Sequence, residues 1–446
     1  MKLLNLTIYK LFDIFKHTID YDQDERITII TAPNGYGKTM TLKIIDSLFN
    51  KRFNFFSKLA FKKIIFTFDN DRSIEIIKEG SNNSTLIKFI LKENNKDITS
   101  FEYPSKKLFS QLKRGISSRQ IEEFMPNFLH RIDSNKLLNT QTDKVLSFEE
   151  AIYQYSDYIP ESIMKRFDID TPQEFIDLLD NLEVYLIQEQ RLILREHISD
   201  SGTSINQRGI VITDTIEKYS QELSHRIRQT IGEYAQVTQS LDSSFPKRLF
   251  QEKTSNIEHE VLKNKLQSLQ EQRVETSKYG LLKLDEDTFF GEDEISDSDT
   301  KVLSLYIADS EKKLAVFSSL VNKIALFTKI LNERRFNFKN IEIDKERGFI
   351  FKSKNGSILQ LTELSSGEQH EVVLLFELLF KARENSLVLI DEPEISLHVV
   401  WQKEFLNDIK EIISLKNIDI VIATHSPQII NERWDLTVNL EDSEIE

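Results

Sequence analysis

The 446-residue chain contains no cysteine. That excludes disulfides, thiolate zinc sites, iron–sulfur clusters and a cysteine nucleophile, and it fits a reducing compartment such as the cytosol. Glycine (12 residues) and proline (8 residues) are scarce, too few for a low-complexity chain. Long apolar runs are also missing. The longest, around Val372 to Phe376, falls far short of the roughly 18 residues that span a bilayer. Met1-Lys2-Leu3 leads into strand-like alternation without a signal peptide, so a cytoplasmic chain with no membrane segment is expected. Net positive charge is lacking too: 58 basic against 72 acidic residues give −14, which argues against non-specific nucleic-acid binding over most of the surface. Two local basic stretches remain. Lys51, Arg52, Lys58, Lys62 and Lys63 interleave with Phe53, Phe55, Phe56 and Phe61, and Lys106, Lys107, Lys113, Arg114 and Arg119 follow later. The first reads as a solvated face whose phenylalanines turn into the core. What the chain does have is 39% apolar and 29% charged residues, enough to bury a real core.

Residues 1 to 105 read mostly as strands: alternation at Leu4, Leu6 and Ile8, the apolar run Ile27 to Ile30, then segments around Ile64 to Phe66, Ile74 to Ile77 and Leu86 to Leu91. From about 106 to 180 the pattern is helical and loop-rich. The short apolar strand Val184 to Ile187 follows, and polar Ser199 to Arg208 reads as a loop. Ile212, Ile216, Tyr219, Leu223, Ile227, Ile231 and Tyr234 recur at spacings of three and four, which predicts one amphipathic helix of roughly six turns. A second helix is expected over about 257–276 and a third over about 300–332, with the acidic loop Asp285 to Asp299 between them. Such arms reach only about 40–50 Å at ~1.5 Å per residue. Strands near Ile341 to Phe351, then alternating helix and strand up to Leu440, give the order of an α/β nucleotide-binding core.

Four segments carry chemistry. Ala32-Pro33-Asn34-Gly35-Tyr36-Gly37-Lys38-Thr39 stands between the strand Ile27 to Ile30 and a helical run beginning at Met40. Its glycines let backbone N–H groups and the helix N-terminus face phosphate oxygens; Lys38 supplies charge for the β- and γ-phosphates, and the Thr39 hydroxyl a ligand for Mg²⁺. The competing explanation is a glycine turn before a helix. Ser386 to Ile390 is an apolar strand ending in Asp391-Glu392, and a buried strand that ends in two carboxylates needs a reason. Mg²⁺ and water provide one: Asp391 would hold the metal and Glu392 would polarise the attacking water. Ser365-Ser366-Gly367-Glu368 before a helix makes a second, incomplete anion site, suited to a phosphate offered by another subunit. The strand Ile418 to Ala423 ends in Thr424-His425-Ser426-Pro427, where an imidazole can reach the γ-phosphate.

Order and spacing bind these segments together. A phosphate loop near the N-terminus, the Ser-Ser-Gly helix, Asp391 24 residues after Gly367 and His425 another 34 residues on resemble the ABC-type ATPase head. The resemblance implies an α/β head with an N-terminal antiparallel β-subdomain and a short helical, coiled-coil insertion, divided as 1–198, 199–335 and 336–446. It implies ATP and Mg²⁺ as cofactors, Gln190 (favoured over Gln188) as a sensor of Mg²⁺ and γ-phosphate, and Met40 beside the phosphate loop. Ser396 becomes a candidate at the dimer interface, His398 a helix cap as readily as a functional group. The remaining histidines show no metal-ligand spacing. Two departures stand out: Ala32 replaces the usual first glycine, a sterically mild change, and Lys10-Leu11-Phe12 stands where a nucleotide-binding arginine is usual, from which slow hydrolysis or altered affinity is expected.

Within that class, Leu364-Ser365-Ser366-Gly367-Glu368-Gln369, the run Asp391 to His398 and Ala423-Thr424-His425-Ser426-Pro427 look like the soluble SMC, RecF and OLD branch. Only 21 residues follow His425, so no nuclease domain is expected after the ATPase, and the arms are short for an SMC protein. The phosphate loop, Gln190-Arg191-Leu192 and Leu241 to Pro246 look most like ATPase subunits of PARIS-type anti-phage systems, with Septu-type second. That likeness implies a homodimer through composite ATP sites, an assembly of such dimers, a separate effector such as a Toprim nuclease, and a phage-encoded trigger protein. The insertion and its acidic loop are the expected docking surfaces. A DNA-stimulated repair ATPase of the RecF or SMC kind is the competing reading, with DNA binding left open. A transporter ATPase fits least.

Overall fold

The computed structural model describes residues 1–79, 86–104, 129–133, 136–139, 144–147, 151, 171–188, 192–197, 210–251, 259–283, 300–395 and 397–442. They form two compact units, one of Met1–Glu189, Arg383–Glu394 and Asn417–Glu446, the other of Gln190–Ala382 and Ile395–Lys416.

In the first unit the uniformly apolar strands make a five-stranded parallel sheet, ordered Val184–Ile187, Leu387–Asp391, Asp419–Thr424, Ile27–Thr31, Thr437–Asn439. Val388, Leu389, Ile390 and Ile422 are wholly enclosed, the reason these strands lack the polar alternation of a one-faced sheet. The helix Lys38–Phe49 packs against three of these strands and is buried nearly all round. Its Phe49 also meets Phe66 and Phe68 edge-on, at ring separations of 6.3 and 6.1 Å. Those two belong to a six-stranded antiparallel sheet, ordered Phe15–Asp20, Leu3–Leu11, Lys63–Phe68, Arg72–Glu79, Leu86–Glu93, Lys96–Pro104. Ile64, Phe66 and Phe68 turn inward between half-buried neighbours, the period-two signature of a strand with one covered face.

The phenylalanines of the first basic stretch point into this core. Phe53, Phe56 and Phe61 are buried, and Phe53 and Phe56 pack edge-on against Phe89, which stacks on Phe101 at 4.8 Å. The second basic stretch lies outside the described residues. Part of the span read as helix and loop instead makes a small antiparallel sheet, Leu129–Arg131, Lys136–Asn139 and Lys144–Ser147. Strands of three or four residues are too short for a period-two pattern to stand out.

In the second unit the helix Thr215–Gln251 is longer than its periodicity suggested: it runs through Pro246 and spans about 55 Å at ~1.5 Å per residue. It also begins later. Ile212 belongs to the strand Ile210–Asp214, paired antiparallel with Ile193–His197, because consecutive β-branched residues favour the extended chain. The helix Thr300–Lys329 packs beside it, carries the helix His259–Lys278 against itself, and continues as a π-helical turn, Ile330–Arg335. Thr300–Arg335 is the one helix among the described residues long and apolar enough, at mean hydropathy 1.6, to cross a bilayer. Its apolar side is occupied by packing: Leu305, Leu314, Phe317, Val321, Ile324 and Phe327 are buried, with Phe317 against Tyr234 and Phe327 against Phe349 and Phe376. The parallel sheet with its glycine loop and the antiparallel β-subdomain in the first unit, and the helical insertion in the second, are the parts that the expected ABC-type head calls for.

One crossing in this unit leaves no room for a side chain. The hairpin Lys339–Asp344/Gly348–Ser353 meets the helix Thr215–Gln251 where Ser220 and Ser224 hydroxyls donate to the carbonyls of residues 345–347 and 349. Gly348, at φ +89°, faces that helix so closely that a Cβ would stand 1.7 Å from the Ser220 carbonyl oxygen. Gly348→Ala should therefore cost more than ~2 kcal/mol in urea denaturation. Gly356→Ala, at φ +83° but with open space around it, should cost about 1 kcal/mol. Equal losses at the two positions would contradict this packing.

Candidate functional site

Strand register assembles the site. Asp391 pairs with Ala423, Ala423 with Ile30 and Thr424 with Thr31, so three parallel strands end level with one another. The next residues of each leave the same sheet edge: Glu392 from one, His425 from the second, and the loop from Ala32 to Gly37 from the third. On the far side Ile187 pairs with Ile390, so Gln188 leaves beside Asp391. Gln190 lies outside the described residues, as do Ser396 and the acidic loop 285–299.

The loop has the form an anion requires. Gly35 and Gly37 take φ of +93° and +91°, and a Cβ on Gly37 would stand 2.8 Å from a Leu11 methyl, so both geometry and space demand glycine there. Gly37 caps the helix Lys38–Phe49 without a side-chain hydrogen bond, and the first turn carries no acid. Its amides and positive dipole end thus face a phosphate-sized partner without a built-in competitor. Ala32 is not in the left-handed region, which explains why alanine serves where glycine is usual. Asn34 and Gly35 are exposed, whereas Tyr36 and Met40 pack on the core. Beneath the loop, fully buried His17 holds its Nε2 2.9 Å from the Tyr36 carbonyl oxygen, and Phe15 lies against the Tyr36 ring. Burial lowers the His17 pKa, with the carbonyl pulling the other way. Where the usual arginine is absent, Lys10, Phe12 and Asp13 adopt positive φ, and Leu11 packs under Gly37.

The charged groups engage one another. Lys38, 5% exposed, donates to the Ala32 carbonyl at 2.9 Å and stands 3.3 Å from Glu392 Oε1. The Thr39 hydroxyl donates to Asp391 at 2.9 Å. Glu392 sits at φ +43°, a strained setting for a residue with a side chain, and its Oε2 lies 2.7 Å from His425 Nδ1. The Thr39–Asp391 pair and, leaving the same sheet edge, the Lys38–Glu392–His425 contacts supply a hydroxyl, a carboxylate and an ammonium, the hard-oxygen and cationic groups that a Mg²⁺–triphosphate needs. Burial raises the Glu392 carboxyl above its ordinary pKa and neighbouring Glu394 adds to the rise, against Lys38 and His425.

The Ser-Ser-Gly segment belongs to the second unit. Ser365 caps the helix Ser366–Phe376 in a reciprocal box with Glu368, whose carboxylate also receives Lys339 at 2.7 Å. Burial alone would raise Glu368, but Lys339 and the Ser365 amide and hydroxyl outweigh it and hold its pKa below the ordinary range. Two participants escape motif reading. His17 supports the loop from a strand with no motif of its own. Glu394 falls in a stretch read only as interface, although it is buried and bonded to the turn that carries His425.

The sequence model of the family described as "AAA domain, putative AbiEii toxin, Type IV TA system" matches residues 195–431, more than half of the chain. Protein ea59 of Escherichia phage lambda is 32% identical over 123 residues, 27% of this chain and 23% of its own length. The Retron Ec83 probable ATPase of Escherichia coli is 29% identical over 103 residues, 21% of this chain and 19% of its own length. The chain thus matches less than a quarter of the length of either relative. Among solved structures, the Pyrococcus furiosus Smc head domain with an extended coiled coil, bound to the C-terminal domain of ScpA, aligns over 100% of this chain and 95% of its own, at 12% identity and a TM-score of 0.33. The SMC head domain from Thermotoga maritima aligns over 98% and 94%, at 10% identity and a TM-score of 0.32.

The raised pKa of Glu392 makes a stability prediction. A carboxyl whose folded pKa lies above its unfolded value favours folding only while protonated, so its penalty appears as pH rises past the ordinary 4.5 and is complete above the folded pKa. Glu392→Gln, neutral and isosteric, should therefore raise the melting temperature of the nucleotide-free chain at pH 7 to 8 and leave it unchanged near pH 4. A change of the same size at both pH values would show that the carboxyl's charge is not the cause.

Proposed function

The chain belongs to the family described as AAA domain, putative AbiEii toxin, Type IV TA system, and from that premise we propose that it binds and slowly hydrolyses ATP to switch a separate effector in anti-phage defence. One observation carries the ATPase reading: Lys38, Thr39, Asp391, Glu392 and His425 meet through hydrogen bonds and ion pairs at a single sheet edge, next to an uncapped helix N-terminus. The loop amides and Lys38 bind the β- and γ-phosphates. Thr39 and Asp391 would hold Mg²⁺, which when bound neutralises charge on the phosphate oxygens. Glu392 takes a proton from the water whose oxygen attacks the γ-phosphorus as the bond to the β,γ-bridging oxygen breaks, and His425, beside Glu392, orients that exchange. Burial and the neighbouring Glu394 raise the Glu392 carboxyl, which makes it a stronger base than an ordinary glutamate.

Ser365, Ser366, Gly367 and Glu368 of a second copy would complete each nucleotide site, making a homodimer with two ATP molecules between its subunits and leaving room for an assembly of dimers. A PARIS-type organisation, with a nuclease effector released on sensing a phage protein, fits the net charge of −14, and the matched stretch of a retron's ATPase supports a role in such systems. It suits a cytoplasmic protein.

Lys38→Ala should abolish ATP binding. Glu392→Ala should leave binding intact and lower turnover by roughly 10²–10³-fold. With ATP and Mg²⁺, Glu392→Gln should accumulate as a dimer in light-scattering size measurements; a strict monomer would refute the composite site. For the partner, the gene expressed alone should be harmless and unprotective, whereas co-expression with its genomic neighbour should give a complex whose activation requires Lys38 and Glu392. Nuclease activity from the purified chain would overturn the effector reading.

A further inference from the structure

Glu394 lies three residues beyond Asp391 and is buried, with only 8% of its surface exposed. Its Oε1 accepts from the Thr424 hydroxyl at 2.5 Å, the His425 amide at 2.8 Å and the Ser426 amide at 3.1 Å, and His425 Nδ1 stands 3.2 Å away. A buried carboxylate is costly unless donors surround it, and three donors on one oxygen answer that need. All three come from one tripeptide, the turn by which the strand Asp419–Thr424 hands the chain to His425. Beyond it the Ser426 hydroxyl accepts from the Gln428 amide and caps the short helix Pro427–Ile430. The His425 backbone is therefore clamped on both sides, while its side chain stays half exposed and brings Nδ1 to 2.7 Å from Glu392. With Nδ1 so engaged, Nε2 is the ring nitrogen directed elsewhere.

We infer that Glu394 is a positioning residue for hydrolysis, holding the Thr424–Ser426 turn so that the His425 imidazole meets Glu392. The inference rests on the ATPase reading above. What Glu394 contributes is an acceptor at a fixed point: Ala423 receives the Glu392 amide at 2.9 Å, so the turns leaving the two strands are already tied at their base, and Glu394 ties them again one layer outward.

The test combines geometry with kinetics. In a crystal structure of Glu394→Ala, His425 Nδ1 should lie beyond hydrogen-bond distance of Glu392; an imidazole still seated there overturns the inference whatever the turnover. With Mg²⁺, the same variant should bind ATP within about twofold of the wild type, while kcat falls on the order of 10²-fold, to the level of His425→Ala. The double variant Glu394→Ala/His425→Ala should be no slower than His425→Ala alone, because the two act through one imidazole. Glu394→Gln keeps an acceptor oxygen and should recover most of the turnover. Multiplicative losses in the double variant, or a Gln variant as slow as Ala, overturn the positioning role. Should Glu394→Ala not fold, Thr424→Val removes one donor alone and should lower kcat by about 5–10-fold at unchanged ATP affinity; unchanged kcat overturns the inference. A wild type without ATP turnover would instead defeat the reading on which this rests.

Discussion

Three neighbouring parallel strands, Leu387–Asp391, Asp419–Thr424 and Ile27–Thr31, are held in one register by backbone hydrogen bonds, and the rest of the site depends on it. A slip by one residue would turn every side chain of a strand to the opposite face and move its end by about 3.3 Å, farther than the margin of any hydrogen bond in the site. The register is secured where no chemistry occurs, by residues such as Val388, Leu389, Ile390 and Ile422 packed on both faces of the sheet. The helix Lys38–Phe49 lies over the same strands, so the core that fixes the register also fixes the N-terminus behind the phosphate loop.

At the sheet edge the molecule concentrates charge that a core would otherwise reject. Lys38 is enclosed but donates to a carbonyl and faces Glu392; Glu392 is strained in its backbone and raised in pKa, yet lies between Lys38 and His425. Each group is tolerable because of the next, which is the condition under which buried ionic networks persist. The strain at Glu392 sits where an observed outlier and a proposed role coincide. Support comes from outside the motifs, through His17 under the loop and Glu394 under the turn.

The second unit solves a related problem by burying an ionic cluster. Arg335, at the end of the π-helical turn Ile330–Arg335, donates to Glu371 of the helix Ser366–Phe376 at 2.8 Å and also pairs with Asp408 of the helix Val399–Lys416. Arg334 reaches Asp408 and Glu411 on that same helix. Such pairs add little net stability over an apolar equivalent, but with geometry this restrictive they fix which faces of three helices meet. Tyr219 adds a contact of the same kind, stacking on Phe376 at 4.6 Å while its hydroxyl donates to Glu377. The helix carrying Ser366 and Gly367 is thereby joined to the helix Thr215–Gln251 and to the C-terminal end of the helical arm.

The sequence by itself determined the elements whose information is local: apolar runs that can only be two-faced strands, a glycine-rich loop before a helix, carboxylates and an imidazole at strand ends, and a helical insertion between them. Period and spacing report such features because neighbouring residues generate them. Local pattern misled where two elements met or where an element was very short, as with Ile212, drawn into the strand Ile210–Asp214, and with the small sheet of 129–147. It also stopped the helix short of Pro246, through which packing against the helix Thr300–Lys329 carries it. Only the tertiary structure decided that His17 supports Tyr36 across 19 positions and that Glu394 gathers a turn about 30 residues downstream. Those are side-chain hydrogen bonds between distant segments, one at His17 and three at Glu394. They leave no periodic trace in the chain, and they exist only once the strand register has brought their partners within hydrogen-bond distance.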